Sequence, residues 1–282
     1  MTQQNVELPG RAAPLFPAEA YPQHPEGVPR GELRAGRYRL RFAQGTRDLR
    51  AVQRLRFEVF NLELDEGLDE AYALGRDEDE FDAACHHLIV EHTGTGAIVG
   101  TYRFMMKPMA DARGGFYSEG EFDFGPLPAD VLARGAEIGR ACVAADHRNG
   151  RVIHLLWKGL ARYLAWNDKR YLFGCCSIPT TDPAAGHLLE NALEAQGHMH
   201  PELRLEPLPA LRCDDRVSRG ATAPAEIPPL MQSYLGLGAQ VCSRPALDLA
   251  FKVIDFLVVL DLERLNPKVR RSFFERTPWS DA

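Results

Sequence analysis

The stretch Glu137-Ile138-Gly139-Arg140-Ala141-Cys142-Val143 constrains this chain most. Its apolar and β-branched residues read as a β-strand, yet a carboxylate and a guanidinium stand three residues apart within it. Ionised groups are rarely buried without a partner or a task. In an unbroken strand successive side chains alternate, so positions 137 and 140 would face opposite ways. A one-residue bulge at Gly139 would bring both to one face, and bulges re-aim side chains next to active sites. The strand is therefore expected to form the floor of a site.

At 282 residues the chain can build one large domain or two modest ones. A composition of 45% hydrophobic and 26% charged residues is that of a soluble globular protein. A net charge of −6 argues against a nucleic-acid binder. The six cysteines form no CxxC pair and no secretory signal precedes them, so reduced thiols in the cytoplasm are expected. Cys175 and Cys176 are adjacent in a predicted strand and should point to opposite faces, which disfavours a disulfide. No apolar run reaches the roughly 18 residues of a membrane span.

Residues 1–36 read as a disordered tail, broken by Pro9, Pro14, Pro17, Pro22, Pro25 and Pro29. Tyr38, Leu40 and Phe42 alternate with arginines in a half-exposed strand over 37–43. Thr46 suits an N-cap, and residues 47–63 predict a helix with Leu49, Val52, Leu55, Val59, Phe60 and Leu62 on one face. Arg56 and Glu63 fall inside that face. They form either a buried ion pair or the border of a polar cavity.

Nine carboxylates and a single basic residue, Arg76, lie between Asp65 and Asp82. Most read as a solvated loop. Asp79-Glu80-Phe81-Asp82 differs, because it directly precedes a strand and is anchored by Phe81. Such a cluster at a cleft edge would attract a cationic amine. It lacks EF-hand spacing, and His86 and His87 have no second cluster of zinc spacing, so no metal site is expected.

Residues 86–92 and 97–106 predict a hairpin around Thr93-Gly94-Thr95-Gly96, with Arg103 a second guanidinium inside a strand. The aromatic run from Gly115 to Phe124 reads as core or as a flap over something apolar. Residues 151–166 predict a helix with Ile153, Leu156, Trp157, Leu160, Tyr163 and Leu164 on one face. Arg151, His154, Lys158 and Arg162 form an opposite basic stripe, with Arg148 just before it. The start of this helix follows the site strand, where free N–H groups and the helix dipole favour a phosphate. Further on, 170–177 predicts a strand, 184–196 a helix, 200–228 mostly loop, 229–236 a short helix and 250–260 a closing strand. Residues 263–282 form a basic extension that could lie on anionic lipid or in solvent.

This order of elements resembles the GNAT acyltransferases. The resemblance implies an α/β (α+β) fold over residues 37–262, with a mixed central sheet, helices on both faces and splayed central strands. The segment His147-Arg148-Asn149-Gly150-Arg151-Val152 keeps only the first glycine of that family's phosphate-binding turn, which points away from coenzyme A. Leu55-Arg56-Phe57-Glu58-Val59-Phe60, Asp79-Glu80-Phe81-Asp82, Val99-Gly100-Thr101-Tyr102-Arg103 and Glu137-Ile138-Gly139-Arg140 resemble the acyl-homoserine-lactone synthases in order and spacing. With Cys85 to Val90, Gly115 to Ser118, Gly139 to Val143 and Phe173 to Ile178, the set resembles the bacterial ornithine N-acyltransferases. Those enzymes make lyso-ornithine lipid from ornithine and a 3-hydroxyacyl acyl carrier protein.

The resemblance implies an amide-forming enzyme with Glu137, Arg140 and Arg103 as catalytic residues. Asp79, Asp82, Arg56 and Glu63 would serve the amino-acid substrate. Beyond the resemblance, the acidic character of a carrier protein leads us to expect that the stripe Arg148, Arg151, Lys158 and Arg162, with Gly150 at its turn, docks that protein and its phosphopantetheine. No separate cofactor is implied, since the donor chain arrives on the carrier protein. Glycine, lysine or glutamine as acceptor, lactone-type signal synthesis and a non-enzymatic hemolysin-like role remain alternatives. A lipid product implies a cytoplasmic protein with peripheral contact at the inner membrane.

Overall fold

A computed structural model describes residues 21–213, 227–274 and Trp279. Its strands are β1 (Leu33–Ala35), β2 (Tyr38–Phe42), β3 (His86–His92), β4 (Ala97–Met106), β5 (Gly135–Val143), β6 (Tyr171–Ile178), β7 (Gln240–Val241), β8 (Ala246–Asp248) and β9 (Val253–Asp261). The helices are α1 (Thr46–Arg56), α2 (Ala71–Leu74), α3 (Lys107–Asp111), α4 (Ala129–Ala133), α5 (Arg151–Trp166), α6 (Pro183–Ala195), α7 (Pro229–Leu237) and α8 (Pro267–Phe274). One sheet runs in the order β1-β2-β3-β4-β5-β6-β9-β7, with β8 also paired to β9. Every pairing is antiparallel except β5 with β6, which is parallel.

Alternation decides which helix covers which face. Tyr38, Leu40, Phe42, Leu88, Val90, Tyr102 and Phe104 pack in one cluster with Val152, Leu156 and Leu160 of α5. On the opposite face Ile89 meets Val52 of α1, and Cys142 meets Leu55 of α1 and Val59. Two helices thus sandwich the sheet, and charged residues placed on the α1 face are buried with it.

Three expectations need correction. Residues 21–36 are not tail: Val28 is buried in the main core, His86 Nε2 bonds the Gln23 carbonyl at 2.8 Å, and Asn167 donates to the Gly27 carbonyl at 3.0 Å. The prolines break helices there but suit an extended strap whose carbonyls find side-chain donors. Residues 1–20 lie outside the described residues. The helix predicted over 47–63 ends at Arg56 and continues as a π-helical segment, Phe57–Glu63, with Gly45 rather than Thr46 at the N-cap. The wider π turn shifts the phase of the wheel, so Leu62 is 62% exposed and Glu63 points outward. Where the basic C-terminal stretch is described it packs on the domain: Phe273 lies on His154 and Trp157 of α5, and Trp279 stacks with Phe42; residues 275–278 and 280–282 lie outside the described residues.

β5 is bulged as the charge pattern requires, one residue beyond the expected place. Arg103 faces Gly139 and Thr101 faces Cys142, so Arg140 and Ala141 together oppose Tyr102. The left-handed residue is Arg140 (φ 48°), not Gly139. The extra residue reverses the alternation and returns Arg140 to the α1 face that Glu137 occupies. On its other side β5 parts from β6: the parallel register ends at Glu137–Phe173.

Candidate active site

A cavity of about 770 Å³ opens where β5 and β6 diverge. One end is apolar, with Leu156, Trp157, Leu160, Leu172, Met231 and Tyr234 in its wall. The other is polar and carries Arg103, Glu137, Arg140, Ser118 and Asp255. Such a volume suits a small-molecule site.

Glu137 is held at this polar end by a short turn. Phe116 is buried against Phe173, with ring centroids 5.0 Å apart, and this fixes the start of the 3-10 turn Tyr117–Gly120. The turn presents its first N–H groups to the carboxylate. Tyr117 N donates at 2.9 Å, Ser118 N at 2.8 Å and Ser118 Oγ at 2.5 Å. Burial pushes the Glu137 carboxyl up, and the Ser118 and Tyr117 donors with Arg103 pull it part of the way back, leaving it above the ordinary range. A carboxylate with a raised pKa is a better proton acceptor than a free one.

Arg140 is pinned rather than free. It contacts the Asp77 carboxylate, and its guanidinium lies 4.3 Å from the Phe60 ring centroid and 4.8 Å from that of Phe251. Its buried Nε has no partner. Burial and the nearby Arg56 push its pKa down to about 9, which leaves it charged near neutral pH.

Behind the cavity wall lies a dense ionic network. Arg56, fully buried, forks onto Asp82 at 2.7 and 2.6 Å and reaches Asp77 Oδ1 at 2.8 Å. Arg103 donates to Asp79 at 2.5 Å and Asp82 at 3.1 Å, while Gln53 donates to Asp82 at 2.9 Å. Burial alone would raise the Asp82 carboxyl, but Arg56, His87 and Arg103 overcome it and hold Asp82 well below the usual carboxylate range. Asp79 and Asp82 therefore do not line the cavity as substrate residues would, and Arg56 takes the buried ion-pair alternative, with Asp82 and Asp77 as partners. Their charges are spent on one another, so little field remains for an incoming ammonium. Glu63 is likewise outside; it forks onto Arg148 at the cavity mouth, one arm at 2.8 Å.

The histidines are also engaged. His86 Nδ1 bonds the Tyr163 hydroxyl at 2.9 Å, and His87 Nδ1 bonds that of Tyr21 at 2.9 Å. Burial lowers both imidazoles, His86 to about 4.

The basic stripe divides. Arg148 and Gly150 line the cavity mouth, and Gly150 (φ 80°) is the N-cap of α5. Arg151 is exposed beside them. Lys158 and Arg162 lie farther along, away from the cavity lining. Arg162 lies over the rings of Trp166 and Trp279.

Sequence reasoning missed Tyr117, Ser118 and Asp77, which orient the two charged strand residues. It also missed Glu121 and Asp255, both buried, whose carboxylates gather around Cys175. Asp255 had a signal: it is a carboxylate inside an apolar strand, the pattern that exposed Glu137.

Residues 55–158 match the acetyltransferase (GNAT) domain family. The mixed sheet with helices on both faces and a splay between β5 and β6 is the architecture expected for it. Over 275 residues the chain is 31% identical to the L-ornithine N(alpha)-acyltransferase of Rhizobium meliloti (strain 1021), covering 93% of each. Over 251 residues it is 34% identical to the protein of that name from Agrobacterium fabrum (strain C58 / ATCC 33970), covering 82% of this chain and 83% of that one. Among solved structures, the AHL synthase LasI aligns with a TM-score of 0.46 at 13% identity, covering 87% of this chain and 98% of that one. With sequence identity sustained over nearly the whole length of such relatives, the chain is an acyltransferase and belongs to the L-ornithine N(alpha)-acyltransferase family.

Proposed function

We propose that the protein moves a (3-hydroxy)acyl chain from acyl carrier protein to the α-amine of ornithine, forming lyso-ornithine lipid. The observation that carries this reading is the cavity through the β5–β6 splay, apolar at one end and charged around Glu137 at the other. An acyl chain suits the wall of Leu156, Leu160, Leu172 and Met231, and an amino acid suits Arg140 and Glu137. The relatives' shared name supports ornithine as the acceptor.

In the reaction the amine lone pair attacks the thioester carbonyl carbon. The C–N bond forms and the C–S bond breaks. The proton lost by the amine passes to Glu137, directly or through a water, and from there to the departing thiolate of the phosphopantetheine, which leaves as the thiol and restores the Glu137 carboxylate. Arg140, which lines the polar end of the cavity, offers its guanidinium to the substrate carboxylate. Beyond Glu137 the backbone of β5 is outside the β5–β6 ladder and can supply N–H groups to the oxyanion. At the mouth, Gly150, Arg148 and the start of α5 meet the donor's phosphate, and exposed Arg151 meets the acidic carrier protein. The exposed Lys268 and Arg271 of α8 extend this basic surface.

Product mass spectrometry tests the reading. Purified protein is incubated with 3-hydroxyacyl carrier protein, or with the matching coenzyme A thioester, and with ornithine, lysine, glutamine or glycine. N-acyl-ornithine formed from the carrier-protein donor is the expected product. An intact thioester with every amine would overturn the reading. Arg151→Glu is expected to raise the KM for the carrier-protein donor severalfold and to leave that for ornithine unchanged.

A further inference from the structure

Glu121 and Asp255 form a feature that the mechanism above does not use. Both are buried, at 4% and 3% exposure. One carboxylate oxygen of each and the Cys175 sulfur lie within 4.8 Å of one another. Among the described residues neither oxygen of Glu121 has a partner at hydrogen-bond geometry, with Tyr117 and the Cys175 thiol its nearest donors, and Asp255 accepts from Ser177 Oγ at 2.6 Å. Among the described residues no cation forms a salt bridge with either group. Arg140 stands near Asp255, but its charge is engaged by Asp77. Two buried carboxylates this close cannot both ionise unless a cation joins them.

The position of the pair ties it to the reaction. Asp255 lines the cavity and lies opposite Ser177 in the β6–β9 ladder, while Glu121 is not part of the lining and stands behind it beside Asp255 and Cys175. Phe173, Cys175 and Ser177 alternate along β6 on the face that Glu137 shares. Ser118 Oγ links the two places, 2.5 Å from Glu137 Oε1 and 3.3 Å from Cys175 Sγ. An acceptor with its α-amine at Glu137 can therefore run its side chain along β6 toward the pair.

We propose that Glu121 and Asp255 together receive the side-chain ammonium of a dibasic acceptor and so select ornithine over neutral amino acids; the assignment rests on the function proposed above. An ammonium donates to Asp255 at the cavity wall, and Glu121 just behind it adds a second negative charge to the same spot. A divalent metal fits less well. It would need the Cys175 thiol as thiolate, and burial with Glu121 and Asp255 nearby holds that thiol protonated.

Steady-state kinetics with ornithine and with norvaline, which has the same carbon chain and no side-chain amine, test the assignment on wild type, Glu121→Gln, Asp255→Asn and the double variant. The double variant is expected to raise the KM for ornithine roughly tenfold to a hundredfold and to leave norvaline turnover near the wild-type value. Thermal melts without substrate check folding, and both single variants should melt no lower than wild type, since each removes an uncompensated buried charge. Folded variants that keep the wild-type ornithine KM and preference would overturn the assignment while leaving the enzyme's function intact. A wild type that acylates neither amino acid would remove the function itself and the assignment with it. Stabilisation of wild type by zinc or manganese, absent in the double variant and not produced by ornithine, would make the cluster a metal site and also overturn it.

Discussion

Glu137 shows how one residue's environment becomes its chemistry. The carboxyl is too buried to ionise easily, and three donors from Tyr117 and Ser118 return part of that loss. Glu137→Gln removes the proton acceptor and should lower kcat by about 10²- to 10⁴-fold with little change in donor KM, measured by single-turnover acyl transfer. Ser118→Ala should act through Glu137. Loss of the hydroxyl donor disfavours the ionised form, so the Glu137 pKa rises and the acid limb of the kcat/KM profile moves to higher pH. A limb that stays in place would mean that another group limits the reaction. Glu137 was legible in the sequence because a charge in an apolar strand needs a reason. Ser118 was not, because an isolated serine among aromatics carries no such mark.

At the scale of elements, two devices shape the cleft. The first is the buried cluster of Arg56, Asp77, Asp82 and Arg103, which ties α1 and the acidic loop to the sheet. Arg56→Ala or Asp82→Asn would strand the remaining charges, and urea denaturation should show a loss of about 3–5 kcal/mol. The acidic residues of this loop read in sequence as substrate ligands. Burial beside two arginines made them structural instead, a pairing across 26 residues that no local pattern displays. The second device is Gly174, where a Cβ would stand 2.1 Å from the Ile138 carbonyl oxygen at the start of the splay. Since that neighbour is backbone, Gly174→Ala must move β5 or β6. It should cost roughly 1–3 kcal/mol and reduce transfer more than donor binding, read from kcat against KM.

For the whole molecule, segments far apart in the chain converge on one cavity, and its uncompensated carboxylates make stability depend on pH. Burial lifts Asp255 from near 3.8 to about 7, with Ser177 opposing and Asp248 reinforcing the rise. The folded state therefore holds this proton more tightly than the unfolded chain. The resulting stabilisation is complete below about pH 4 and is lost as pH rises toward 7. Relative to wild type, Asp255→Asn should gain stability progressively as pH rises through that range, reaching on the order of 2–4 kcal/mol by pH 8, measured by denaturation at each pH. No helix among the described residues is long and apolar enough to cross a membrane. The long strands β2, β3, β4, β5, β6 and β9, the helix α5 and the bulge in the charged strand were readable from local patterns, namely alternation, helical periodicity and a carboxylate in an apolar run, and the family from the resemblance of several short motifs taken together. Only the tertiary structure decided which charges face the substrate. That depends on which opposite charge folds within a few ångströms, as Arg56 does for Asp82 and as no side chain among the described residues does for Glu121.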